Sequence, residues 1–185
     1  MTTNTIIITA LATELDRSLL PKHVQIFYSG IGKINATMAT FKAIAHSRPK
    51  RILNFGTVGA VQPQVKGLIE IQRVVQRDMM TEPLSPRGQV PFCDRPHEYL
   101  SGSGRHTCGT GDSFVTAKDP WFEANRVDVV DMELFAIAAV AHEHNIAWRS
   151  FKYVTDDTNE DSGQDWQQKV RHGERLFIDL LQEVL

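Results

Sequence analysis

The sequence predicts an α/β sandwich with a mostly parallel sheet. Short β-branched or apolar runs alternate along the chain with stretches of helical periodicity, the order that builds such folds. Several of the runs end in Gly, Thr or Asp, and open α/β sheets bind ligands at the carboxyl ends of their strands. At 185 residues the chain has the length of one domain, taken as 1–185, with enough sequence for a sizeable core.

The elements follow in order. Ile6 to Thr9 is a buried strand, and Ala12 to Leu20 has helical character. Val24 to Tyr28 is a second strand, leading through SGIGK into a helix patterned by Ile34, Met38, Phe41 and Ala45. Arg51 to Phe55 is a third strand, ending in a glycine-rich turn, GTVGA. Residues 68–80 alternate as a strand does. Thr81 to Arg105, with Pro83, Pro86, Pro91 and Pro96, has no periodicity and is expected to be a long functional or interface loop. Thr107 to Val115, a helix from Met132 to His144, a strand from Trp148 to Thr155 and a final amphipathic helix complete the chain.

Bulk composition excludes several classes. Hydrophobic residues are 42% and charged residues 23%, as in an ordinary soluble globule. Twenty Lys and Arg against 22 Asp and Glu leave a net charge of −2, without the basic surplus a nucleic-acid binder needs. Cys93 and Cys108 match no zinc spacing and are too few for a disulfide framework, so a reducing cytoplasm is the expected location. No signal peptide and no membrane-spanning run is visible.

Four segments can carry chemistry. In GTVGA, glycines either make a tight turn or let backbone approach a ligand; the spacing is no dinucleotide fingerprint, and SGIGK is no P-loop. In CGTGDSFV, Asp112 suits a turn cap, and Phe114 is either core or a surface for a flat ring. In YVTDDTNEDSGQD most acids read as solvated charges, but Asp156 comes directly off a strand end; the run lacks the pattern of a calcium loop. Glu14, in TALATEL, alone reads as a first-turn acid beside a helix dipole. Glu133, in VVDMELFA, alone reads as a helix-start charge facing water, and so does Asp131.

Taken in order, TALATEL, SGIGKINA, NFGTVGAV, GTGDSFV, VVDMELFA and YVTDD resemble the nucleoside phosphorylase and nucleosidase superfamily, and within it the methylthioadenosine/S-adenosylhomocysteine nucleosidases. The resemblance runs from near the N-terminus to residue 157. It implies a three-layer α/β/α sandwich around a twisted mixed sheet, a homodimer, a purine nucleoside as ligand, and no metal or organic cofactor. On the matching positions it makes Glu14 the water-activating base and Asp156 the acid at the leaving base. Met132 and Glu133 become ribose contacts, Phe114 and Val115 hold the purine, and Thr57, Val58 and Gly59 lie beside it.

The chemistry suits those residue types. Breaking a ribosyl C–N bond develops oxocarbenium character, by analogy with glycoside hydrolysis, and the purine leaves better when a carboxylic acid shares a proton with it. Superfamily phosphorylases usually place arginines after the first strand and before the second glycine turn; here TALATEL and LNFGTVG offer Glu14 and Asn54, with Arg17 and Arg51 displaced. A glutamate repels phosphate and suits water, so a nucleoside N-ribohydrolase is expected. The alternatives are a phosphorylase or a non-catalytic nucleoside-binding protein. Two departures bear on substrate choice among methylthioadenosine, S-adenosylhomocysteine, adenosine and modified purine nucleosides. Leu134 and Phe135 replace two small residues behind Glu133, where they are expected to reshape the pocket, and QRDMMTEPLSPRGQVPF differs from the family's 5′ region.

Overall fold

The computed structural model describes residues 4–156, Thr158, Lys169 and residues 171–185, with the backbone alone at Asp156. Its strands are β1 (Thr5–Thr9), β2 (Gln25–Tyr28), β3 (Arg51–Ala60), β4 (Leu68–Gln76), β5 (Glu98–Leu100), β6 (His106–Thr110), β7 (Val129–Asp131) and β8 (Ala147–Asp156). The helices are α1 (Lys33–Ser47), α2 (Pro120–Ala124), α3 (Leu134–Glu143) and α4 (Glu174–Val184).

The strands form one mixed sheet, ordered β2-β1-β3-β7-β6-β4-β5, with β8 pairing to both β3 and β4. β8 thereby closes β3, β7, β6 and β4 into a five-strand ring. Five pairings are parallel, β1 with β2 and β3, β3 with β8, and β6 with β4 and β7. The other three are antiparallel, β3 with β7 and β4 with β5 and β8.

Successive side chains on a strand face opposite ways, so a strand buried on both faces reads as a continuous apolar run. Ile6 and Ile8 join one core cluster with α1 and α3, while Ile7 joins the other with Phe177 and Leu181 of α4. Phe55 stacks on Phe177 at 4.4 Å between ring centroids. This is the three-layer α/β/α arrangement.

Several elements differ from expectation. Residues 12–20 form a turn and a single 3₁₀ turn at Arg17–Leu19 instead of a helix. Asp16 caps that turn through Ser18 N–H at 2.8 Å, and Pro21 stops any continuation. GTVGA is the second half of β3, not a turn, with a register shift between Val58 and Gly59. β4 ends at Gln76, β6 at Thr110, and the expected loop from Thr81 to Arg105 contains β5. The apolar spacing on α1 faces outward: Ile34, Met38 and Phe41 are exposed, while Ala36, Thr40, Ala43 and Ile44 turn inward. Small inward residues let α1 pack closely against α3, which leaves the large ones on the surface.

Candidate active site

A cavity opens at the carboxyl ends of β1, β3, β4, β7 and β8. Glu14, Thr57, Val58, Gly59, Phe114, Val115, Met132 and Glu133 all line it. Asp156 ends β8 beside the cavity-lining Thr155 and lies in register with Gly59; its side chain is outside the described residues.

Glu14 is buried in the turn after β1. Its Oε1 accepts from the Thr57 N–H at 2.9 Å and the Thr57 hydroxyl at 2.7 Å. Oε2 accepts from the Leu11 N–H at 3.1 Å and the Thr9 hydroxyl at 3.3 Å. These bonds pull the chain inward where a regular helix was expected. Gly56 explains part of GTVGA. A Cβ there would lie 3.2 Å from Lys152 Nζ and 3.5 Å from Glu14 Oε1, so glycine leaves room for both charged heads.

Asp131 closes β7 and is 5% exposed, which corrects its reading as a charge facing water. It does cap α3, accepting from the Leu134 N–H at 2.9 Å, but beneath the site. The same oxygen accepts from Lys152 Nζ at 2.8 Å, and the other from the Thr110 hydroxyl at 2.6 Å. Burial acts to raise the Asp131 carboxyl, but the Lys152 ammonium and these donors outweigh it and hold it below the usual range. Burial acts to lower Lys152, yet Asp131 foremost keeps it raised.

Glu133, just before α3, is 9% exposed and accepts from the Gly32 N–H at 2.9 Å. Burial, reinforced by the negative charge of Asp131, pushes its pKa to about 8; Lys152 and the Gly32 N–H act the other way. Leu134 and Phe135 do not reach the cavity wall, against expectation. Leu134 is in the core, and Phe135 packs edge-on against Tyr99 at 5.1 Å. The helix turns both side chains away from the Glu133 carboxyl.

The opposite wall is the segment after β6. Phe114 is 54% exposed at the rim, and Arg77 lies behind it with its guanidinium bonded to Gly109, Gly111 and Ser113. Across the mouth, Asp112 accepts from the Lys33 N–H at 2.8 Å and so caps α1. Asp78 accepts from Lys33 Nζ at 2.5 Å and from the Asp112 N–H at 2.9 Å. Sequence reasoning missed Arg77, Lys152 and the burial of Asp131. One signal was available for Lys152, a cation set between two aromatic residues inside a strand, SFKYV. Among the described residues no cluster suits a metal ion, and no helix is long and apolar enough to cross a membrane.

Known proteins share this fold. A 5′-methylthioadenosine/S-adenosylhomocysteine nucleosidase of Geobacillus kaustophilus is 27% identical over 186 residues, covering 83% of this chain and 77% of the relative. A mutant of Helicobacter pylori 5′-methylthioadenosine/S-adenosylhomocysteine nucleosidase, solved with 5′-methylthioadenosine in its active site, superimposes with a TM-score of 0.86 at 17% identity, covering 99% of this chain and 98% of that one. The futalosine hydrolase of Helicobacter pylori gives 0.84 at 17% identity, covering 96% and 95%. At such identities the superpositions speak for the fold. The family model described as Phosphorylase superfamily matches residues 18–185, nearly the whole described sheet and the cavity wall from Ile31 onward. The chain belongs to the phosphorylase superfamily.

Proposed function

We propose that the protein hydrolyses the N-glycosidic bond of a purine nucleoside of the 5′-methylthioadenosine or S-adenosylhomocysteine kind, releasing the free base and a ribose derivative. The observation that carries this reading is a cavity wall rich in carboxyl acceptors that offers, among the described residues, no uncommitted cation. Glu14, Asp131 and Glu133 stand together, and the cations brought there are already engaged, Lys152 by Asp131 and Arg77 by loop carbonyls. A phosphate dianion needs free arginine, lysine or a nest of N–H groups, whereas a water needs an acceptor.

In this mechanism Glu14 receives a proton from the attacking water. Its two N–H bonds hold the carboxylate in place, and a threonine hydroxyl that turns its proton to another acceptor leaves a lone pair for the water. Glu133 accepts from the ribose hydroxyls with Met132 against the sugar. Phe114 and Val115 hold the purine beside Thr57, Val58 and Gly59. Asp156 shares a proton with the departing base. None of these steps calls for a metal or organic cofactor.

The active form is a homodimer. Ile34, Met38 and Phe41 make an outward apolar stripe on α1 that continues to Ile31 at the cavity rim, a surface suited to a second copy. Screening nucleosides for base release, with and without phosphate, tests the activity. Release of free sugar independent of phosphate is expected; a strict phosphate requirement makes the protein a phosphorylase, and no release makes it a binding protein.

A further inference from the structure

The base-holding segment leaves the sheet at the end of β6, so beyond Thr110 its carbonyls have no neighbouring strand to bond them. Arg77, just past the end of β4, takes that place. Its Nε donates to the Gly109 carbonyl at 3.2 Å, and Nη2 donates to the Gly111 carbonyl at 2.8 Å and to the Ser113 carbonyl. Nη1 donates to the Ser113 hydroxyl at 3.1 Å. The segment bends after Gly111, where the Ser113 N–H donates to the Gly111 carbonyl at 2.9 Å, and the planar fork spans that bend to reach Gly109, Gly111 and Ser113 together. Four of the five N–H donors of a guanidinium are thereby spent on the segment ending at Phe114 and Val115.

The side chain is 5% exposed and has no ion pair among the described residues. Burying a cation with no ion pair, and only the more distant charges of Asp78 and Asp131 to favour it, is costly unless its donors are bonded, and here the segment bonds four of them. The glycines match the arrangement. A Cβ on Gly111 would sit 2.9 Å from both Cγ and Cζ of Arg77 and 3.0 Å from Cγ of Asp78. Gly111 therefore serves close approach between the segment and the arginine, with no unusual φ involved.

We propose that Arg77 is a positioning residue for purine recognition: it fixes the segment from Gly109 to Ser113 so that Phe114 and Val115 meet the base. This rests on the reading of Phe114 and Val115 as base-holding residues. Arg77 acts on the base and not on the sugar or the attacking water, which Glu14 and Glu133 serve; the Asp131–Lys152 pair meets the segment through the Thr110 hydroxyl and the Gly111 N–H, both bonded to Asp131.

The test compares Arg77→Met, Gly111→Ala and, as control, Arg73→Met with the wild type. Arg73 lies on β4 itself and pairs with Glu98 away from the cavity. For each protein, KM and kcat are measured on 5′-methylthioadenosine, together with inhibition by free adenine and the thermal midpoint. Arg77→Met is expected to raise KM and the adenine inhibition constant by about tenfold each, with a smaller change in kcat. Gly111→Ala, which pushes the segment off the arginine, is expected to shift both constants in the same direction. Arg73→Met leaves both unchanged. A folded Arg77→Met with both constants within about twofold of wild type overturns the proposal. Loss confined to kcat overturns it too, since that is what a lower fraction of folded enzyme gives. Where Arg77→Met does not fold, Gly111→Ala decides by the same criterion. Absence of nucleoside cleavage by the wild type itself strikes the proposed function instead.

Discussion

The two walls of the cavity are built in different ways. The inner wall presents Glu14, Asp131 and Glu133 with Lys152 behind them, all buried, drawn from the turn after β1, the end of β7, the start of α3 and the middle of β8. Each head group bonds to a segment distant in sequence, as Glu14 does to Thr57 and Glu133 to Gly32. The outer wall is a short segment with a half-exposed aromatic at its tip, hung on one arginine. The lesson is a division of labour. The groups proposed to exchange protons or grip hydroxyls are immobilised by the sheet, whereas the surface proposed for a flat ring is held from behind and open in front.

The comparison can be broken most severely on the inner wall. Glu14→Gln and Asp156→Asn are each expected to lower base release by about 10²- to 10⁴-fold without loss of fold. Turnover near the wild-type rate in either folded variant removes that residue from the chemistry. Next, Lys152→Met leaves Asp131 buried and unpaired, a loss of about 3–5 kcal/mol. Urea unfolding checks it, and the double variant Lys152→Met with Asp131→Leu is expected to regain much of the loss; an undiminished single variant contradicts the role given to the pair.

A smaller effect is expected at Glu133. Its folded pKa of about 8 lies above the ordinary 4.5, so the folded state holds an extra proton between those values. That contribution is complete below about pH 4.5 and is lost as pH rises through 8. Glutamine does not titrate, so Glu133→Gln gains on the wild type between pH 6 and pH 9 in denaturant unfolding. A constant difference across that range argues against a buried, proton-holding Glu133. The outer wall gives the smallest change. Phe114→Ala is expected to raise KM for nucleoside by about 3- to 10-fold, from the loss of a stacking contact, and to leave stability unchanged. A large drop in its unfolding midpoint would mean that the ring belongs to the core.

The sequence made the sheet legible where strands are buried on both faces, as in TIIIT and RILNF, because such runs are apolar throughout. It was less legible where short range gives no signal. β5 and β7 are three residues each, and α1 displays its large apolar residues outward, the reverse of the usual sense of such spacing. Glu14, Met132, Glu133, Phe114 and Val115 were found through motif order and share one cavity. Asp131, Lys152 and Arg77 escaped because what matters about them is the partner, and the partners lie 21, 21 and 32–36 residues away. A charge alone does not tell burial from exposure; its counterpart does.

Closing β3, β7, β6, β4 and β8 into a ring has a consequence for how the molecule opens. No strand of the ring can slip or peel without disturbing the other four, so their amide protons should exchange together and only through global unfolding. The sheet's outermost strands, β2 and β5, are four and three residues long, and their amides should exchange sooner. Thr57, Asp131 and the end of β8 all belong to the ring, so the floor of the cavity exchanges with its most slowly opening part.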